Sequence, residues 1–135
     1  MYLEQLIYDR TEQDLTNNTS KAFIAYTDLN RIEGACAELA EILGVTIQTK
    51  TWVMSDWRTE SDMARLRSNI QTLKDAYYTV PGTPTLPATI TYANITQANN
   101  IEKILDDIYQ LYLTVEAGKN RLSFTLGRKA IGIRG

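Results

Sequence analysis

The stretch TQANNIEKILDDIYQLYLTVEAG, from Thr96 to Gly118, sets the main requirement of the fold. Thr96 is suited to cap the first amides of a helix, and Gly118 falls where a left-handed C-terminal stop is expected. Between them the apolar residues advance by three or four positions: Ile101, Ile104, Leu105, Ile108, Leu111, Tyr112 and Val115. This spacing predicts an amphipathic helix whose apolar face the rest of the chain must cover.

Two earlier segments carry matching apolar stripes. One begins at Thr27 or Asp28 and ends before Gly44, and the other runs from about Thr59 or Ser61 to Tyr78. The first stripe consists of Leu29, Ile32, Cys36, Leu39 and Leu43. The second consists of Met63, Leu66, Ile70, Leu73 and Tyr77. We therefore expect helices near 28–43, 61–78 and 97–117 to share one core.

Two further segments have the period-two pattern of β-structure. Residues 45–53 are rich in β-branched side chains and are predicted to form a short strand. Residues 119–135 alternate apolar and polar side chains around Gly127, which predicts a C-terminal β-hairpin. The expected fold class is thus α+β, predominantly α, with a three-helix core, a short strand and a C-terminal β-hairpin.

The length of 135 residues favours a single domain, 1–135. We divide it into a peripheral segment, 1–26, a helical core, 27–118, and a basic hairpin, 119–135. In the first of these, Leu3 to Tyr8 fit either a helical turn or a short strand, and Thr11-x-x-Asp14 indicates a helix start. The N-terminus lacks the basic residues and cleavage site of a secretory signal, and no apolar run is long enough for a membrane span.

The composition narrows the chemistry available to the chain. It contains no histidine, so the commonest general base and the commonest metal ligand are both missing. Its single cysteine, Cys36, forbids an intramolecular disulfide, which favours a reducing compartment. Cys36 lies on an apolar stripe, where a buried side chain is the alternative to a reactive thiol. We expect no metal and no organic cofactor.

Charge is distributed unevenly along the chain. Residues 1–118 contain nine basic and 16 acidic residues, a net charge of −7, whereas the last 17 residues carry five basic residues and no acidic one. A basic end of this kind can dock on an acidic neighbour. The candidate interaction surface consists of Arg121, Arg128, Lys129 and Arg134.

The pattern T-x-x-N-x-I-E occurs twice, beginning at Thr27 and at Thr96. In each copy the threonine and asparagine are suited to capping a helix, and the glutamate then lies near its N-terminus. A binding site built from the two Asn/Glu sets is the alternative interpretation. Trp52 and Trp57 flank a turn, either as core side chains or as a binding platform.

Several of these motifs together carry a family resemblance. They occur in the order Ile7–Thr11, Tyr26–Glu33, Trp57, Ser61–Arg65, Leu86-Pro87 and Asn99–Leu105. This succession, over roughly residues 6 to 113, resembles a module of tail- and baseplate-associated structural proteins from phages and prophages of Gram-positive bacteria. The segment between Asp14 and Tyr26 is shorter than in such proteins, and the basic C-terminal end does not match theirs.

The resemblance implies a virion component, made in the bacterial host cytoplasm, that binds other tail or baseplate proteins. It is consistent with a non-enzymatic assembly or attachment module, with homo-oligomerisation through the hairpin as a further expectation. Two alternatives stay open: a cytoplasmic helical adaptor, and a nucleic-acid-binding protein that uses the basic hairpin. The net charge of −7 on residues 1–118 disfavours nucleic acid.

Overall fold

The computed structural model describes residues 1–18, 24–92 and 94–134, with the backbone alone described from residue 119 to 134. The described part is mostly helical, so the chain forms a small helical bundle. A 3₁₀ turn, Tyr2–Glu4, and a short helix α1, Glu12–Thr16, precede three longer helices: α2, Tyr26–Leu43, α3, Glu60–Asp75, and α4, Ile95–Arg134.

The apolar stripes of the three long helices meet in one core. Ile32 of α2, Leu66 of α3 and Ile104 of α4 are fully buried there. Cys36 belongs to the same cluster, and its burial, followed by the nearby Glu33 carboxylate, raises the pKa of its thiol. The buried position therefore agrees with the interpretation of Cys36 as a small core side chain.

The N-terminal segment is held against α2 and α4 mainly through its backbone. The N–H groups of Tyr2 and Leu3 donate to the Glu38 carboxylate of α2, at 3.1 and 2.9 Å. Tyr2–Glu4 forms a 3₁₀ turn with Leu3 buried in the core, whereas residues 6–8 form neither the helical turn nor the strand considered for them. The predicted helix start at Thr11 is confirmed, since Thr11 and Asp14 form a reciprocal capping box at α1.

Thr59 caps α3, where its Oγ1 accepts from the Asp62 N–H at 3.1 Å, but the threonines expected at the starts of α2 and α4 do not cap those helices. α2 begins at Tyr26, and the Asp28 carboxylate accepts a hydrogen bond from the Ala25 N–H at 2.8 Å. At the start of α4, the side chain of Asn94 accepts from the Gln97 N–H at 2.8 Å. The capping positions therefore precede Thr27 and Thr96, and both threonines lie inside their helices.

The predicted strand at residues 45–53 is wrong: the described part of the chain contains no strand. This segment has no described neighbouring strand with which to form a ladder, and side chains of α2 and α3 bind its backbone instead. Asn30 binds the backbone of Trp52, and both Arg65 and Asn69 donate to the Gln48 carbonyl. The β-branched side chains of residues 45–53 therefore belong to an irregular segment that packs on helices, not to a strand.

The predicted hairpin at residues 119–135 is also wrong. Gly118 keeps helical backbone, and α4 continues to Arg134 as a helix of 40 residues, about 60 Å long. A glycine ends a helix when it adopts a left-handed conformation, as Gly44 does after α2 with φ 73°. Leu122 and Leu126 fit alternation, but they are also four residues apart, which is helical spacing.

We expect Ile32→Ala, Leu66→Ala and Ile108→Ala each to lower the free energy of unfolding by about 2–5 kcal/mol, because each removes buried methyl groups and leaves a cavity. Urea denaturation monitored by circular dichroism measures the change. Leu113→Ala, at a position on α4 that is exposed, is the control and should change stability by less than about 1 kcal/mol. Equal midpoints for all four variants would contradict the shared core.

Candidate functional site

The four basic residues predicted to form an interaction surface lie on the last part of α4. Arg121, Arg128, Lys129 and Arg134 have helical backbone, and their side chains lie outside the described residues. The helix brings Arg121 and Arg128, seven residues apart, to the same face. The surface therefore stays a prediction, carried by a helix rather than by the expected hairpin.

The first copy of the repeated motif holds the loop that follows α2. Asn30 binds both backbone groups of Trp52: its Oδ1 accepts from the Trp52 N–H at 2.7 Å, and its Nδ2 donates to the Trp52 carbonyl at 2.9 Å. One turn later, Glu33 accepts from the Trp52 indole N–H at 2.9 Å. Glu33 also accepts two hydrogen bonds from the Arg65 guanidinium of α3.

The second copy repeats this arrangement on the N-terminal segment. Asn99 binds both backbone groups of Arg10, accepting from its N–H at 3.0 Å and donating to its carbonyl at 2.9 Å. One turn later, Glu102 accepts from the Arg10 guanidinium at 2.7 Å. Glu102 also accepts two hydrogen bonds from Arg31 of α2, at 2.7 and 2.9 Å.

We call these two arrangements the Trp52 clamp (Asn30, Glu33, Trp52 and Arg65) and the Arg10 clamp (Asn99, Glu102, Arg10 and Arg31). In each clamp, an asparagine binds the backbone of one residue, and a glutamate three positions later binds the side chain of that same residue. An arginine from a different helix donates two further hydrogen bonds to the glutamate carboxylate. The asparagines do not cap their helices, so that interpretation of the repeat is wrong.

The electrostatics of the clamps indicate structural roles. Burial alone would lower the pKa of Arg31, but its hydrogen bonds to Glu102 and then to Asp28 raise it. Hydrogen bonding to Glu33 likewise raises the pKa of Arg65. Both glutamate carboxylates have each oxygen engaged by an N–H donor. Glu102 accepts four hydrogen bonds in all and Glu33 accepts three, so both carboxylates are used in holding segments of the chain together.

The two tryptophans have opposite environments. Trp52 is 1% exposed and fills the core, whereas Trp57 is 85% exposed. Between them the chain makes a turn in which the Val53 N–H donates to the Asp56 carboxylate at 2.9 Å and the Asp56 N–H donates to the Val53 carbonyl. Met54 is 81% exposed on the same turn. We call residues 53–57 the apolar turn.

A groove of about 390 Å³ lies between α3 and residues 88–90. Its lining includes Glu60, Arg67, Gln71 and Thr89. The Arg67 guanidinium donates to the Pro87 carbonyl at 2.7 Å and thereby joins α3 to that loop. The lining therefore combines a carboxylate, a guanidinium, an amide and hydroxyl groups, all able to make polar contacts.

Other signatures of a chemical site are missing from the described residues. No group of three or more Asp, Glu or Cys side chains there is placed to hold a metal ion. Within the same residues, no helix is long and apolar enough to cross a membrane. In comparisons with protein families, curated proteins and solved structures, nothing matches this chain.

Sequence reasoning singled out both asparagine and glutamate pairs but not their partners. Asn99 and Arg10 are 89 residues apart, and Glu33 and Arg65 are 32 apart. A helix-start pattern contains no information about such distant groups. The equal spacing of asparagine and glutamate in the two copies was the available signal, but it was interpreted as helix capping.

We expect Glu102→Gln to lower the free energy of unfolding by about 3–5 kcal/mol, because it removes the counter-charge of two buried or half-buried guanidinium groups. Chemical denaturation of the purified chain measures this loss. Glu41→Gln, on the exposed side of α2, is the matched control and should change stability by about 0.5 kcal/mol or less. A loss of equal size in both variants would contradict the role of the Arg10 clamp.

Proposed function

We propose that the chain is a non-enzymatic structural protein of a phage tail or baseplate, where it acts as an assembly or attachment module. The observation that carries the proposal is the apolar turn, which presents Met54 and Trp57 to solvent beside the Trp52 clamp. Exposed tryptophan in a held conformation is typical of protein contacts, because it buries a large area with little loss of conformational freedom.

The use of the charged side chains supports the same proposal. The buried carboxylates of Glu33 and Glu102 accept three and four hydrogen bonds, respectively, from groups that they hold in place. The groove beside α3 lacks a catalytic pair among its lining residues. What the described surface offers a partner is therefore apolar contact at a fixed turn, which suits binding rather than a reaction.

The virion assignment draws on the family resemblance. The motifs in that resemblance include Asn30, Glu33, Arg65, Asn99 and Glu102, which are members of the two clamps. A set of residues that fixes loops to helices explains why short motifs recur in a fixed order without forming a ligand site. The partners in this proposal are other tail or baseplate proteins.

The apolar turn favours a protein partner over nucleic acid. Nucleic-acid contacts require clustered positive charge, whereas residues 1–118 carry a net charge of −7 and the turn itself contains Asp56. The adaptor alternative uses the same surface with a host protein. The adaptor alternative predicts that the chain binds a host protein in cells but is not incorporated into particles.

Particles purified from cells that carry the gene in its natural genome provide the test. We expect mass spectrometry to find the chain in density-purified particles, and Trp57→Ala to reduce its incorporation about tenfold or more. The variant should keep the wild-type melting temperature, because Trp57 is exposed.

The matched control is Tyr78→Ala, which removes an aromatic ring that is 74% exposed at a position beyond α3. It should leave incorporation unchanged. If the chain is abundant in the lysate but absent from the particles, the virion assignment is wrong. If Trp57→Ala and Tyr78→Ala are incorporated equally, the apolar turn is not the contact.

A further inference from the structure

Two of the described arginines have no carboxylate partner. Arg10, Arg31 and Arg65 each pair with a glutamate in one of the two clamps, at 2.7 Å or less. Arg58 and Arg67 form no ion pair among the residues whose side chains the structure describes. Both are therefore able to pair with a carboxylate that comes from outside the chain.

Both of these arginines line one continuous groove. The groove of about 390 Å³ beside α3 adjoins a second cavity of about 260 Å³ at the start of that helix, and the two share Glu60, Met63, Thr89 and Ile90. Arg67 lines the first cavity and Arg58 lines the second. We call the joined cavities the α3 groove. Its course along α3, from Glu60 to Thr72, is about 18 Å long at the helical rise of about 1.5 Å per residue.

The wall opposite α3 is held in place by hydrogen bonds. Arg67 donates through Nε to the Pro87 carbonyl at 2.7 Å. The Gln97 side chain of α4 accepts from the N–H groups of Thr91 and Tyr92, at 2.8 and 2.7 Å. The groove is therefore formed before a partner arrives, and binding requires little ordering of the chain.

Each of the two guanidinium groups is held by one contact and keeps donors for another. The Arg67 Nε bond to Pro87 leaves both Nη groups without a partner among the described residues. The Arg58 guanidinium lies 5.6 Å from the centre of the Tyr92 ring, in a cation–π contact. Guanidinium groups bind carboxylate and phosphate oxygens through parallel N–H donors, so these two positions favour an anionic occupant.

The lining between the arginines restricts which anionic group fits. Ala64 and Ala88 line the groove and are exposed, and the buried side chains of Met63 and Ile90 line it as well. Glu60 adds a carboxylate to this lining. A nucleic-acid backbone would bring regularly spaced phosphates against Glu60 and against the apolar side chains. A peptide can place an apolar side chain at this point and keep its carboxylates apart.

The basic end of this chain does not suit the groove. Residues 119–135 carry five basic residues and no acidic one. They offer no carboxylate to Arg58 or Arg67, and their charge has the same sign as that of the two guanidinium groups. Charge complementarity thus indicates an acidic partner.

We propose that the α3 groove binds an extended segment of another protein in which two acidic residues, four positions apart, flank an apolar one. In an extended segment, side chains i, i+2 and i+4 share a face, and i and i+4 are about 13 Å apart. Glu60 and Arg67 are separated by about 11 Å along α3, and Arg58 precedes Glu60. The two carboxylates can therefore meet Arg58 and Arg67 while the apolar side chain contacts the alanines of the lining. The proposal concerns a surface other than the apolar turn and does not rest on the virion assignment.

Nuclear magnetic resonance titration of the full chain with synthetic peptides tests the proposal. The probe is a short blocked peptide with two aspartates four positions apart, a leucine midway between them, and glycine or serine elsewhere. Its control peptide has asparagine in place of both aspartates. We expect the aspartate peptide to shift the amide resonances of Ala64, Arg67 and Thr89, and to bind about tenfold more tightly than the asparagine peptide. Added salt should weaken binding of the aspartate peptide only.

Variants of the lining give a second measurement. Arg58→Gln should weaken binding of the aspartate peptide about fivefold, because it removes one exposed ion pair. Glu60→Gln should strengthen binding about twofold, because it removes a like charge from the lining. Lys74→Gln is the matched control, since it removes a cation from the last turn of the same helix, outside the groove lining, and should change the affinity by less than about 1.5-fold. Thermal melting establishes that each variant is folded.

Three results would overturn the proposal. The first is the absence of shifts at the groove residues with millimolar aspartate peptide, or equal affinity for the aspartate and asparagine peptides. The second is a folded Arg58→Gln that binds the aspartate peptide as the wild type does, or a Glu60→Gln that binds it more weakly. The third is an oligothymidylate that shifts the same resonances at lower concentration than the aspartate peptide, since this would make the groove a site for nucleic acid.

Discussion

The buried carboxylate of Glu102 is the interaction on which the arrangement of the chain depends. A buried carboxylate is strongly unfavourable unless it is paired and hydrogen-bonded. Here Arg10 from the N-terminal segment and Arg31 from α2 both bind it, and the Ile7 N–H adds a fourth donor. The requirement to neutralise one residue of α4 thus fixes where two other parts of the chain must lie.

In both clamps, an asparagine and a glutamate three residues apart bind a loop residue to a helix. A loop packed on helices has backbone groups that neither a helix nor a sheet satisfies. The asparagine side chain carries a carbonyl acceptor and an NH₂ donor, which match the N–H and C=O groups of a single residue. The glutamate one helical turn away then fixes the side chain of that residue, as with Trp52 and Arg10. At residues 45–53, where the sequence pattern predicted a strand, the Trp52 clamp holds the chain on the helices instead.

The sequence predicts what depends on local spacing and fails where the partner is distant. Three-four spacing located the long helices, because every apolar stripe must be buried. It did not reveal that Asn99 reaches Arg10, or that Trp52 is buried while Trp57 is exposed, since both depend on how loops return to the core. The predicted stop at Gly118 is wrong, because glycine permits a left-handed conformation without requiring it, and Gly118 lies inside α4. The candidate basic surface was identified by charge alone, and its side chains lie outside the described residues.

The two clamps and the apolar turn differ in what they can offer a binding partner. The clamps use the buried carboxylates of Glu33 and Glu102 and their arginines to join segments of the chain. The apolar turn, by contrast, exposes Met54 and Trp57 to solvent. Exposed aromatic side chains of this kind are buried by contact with another protein rather than with a small molecule. Because the Trp52 clamp holds the residue that precedes the apolar turn, binding at this turn requires less ordering of the chain.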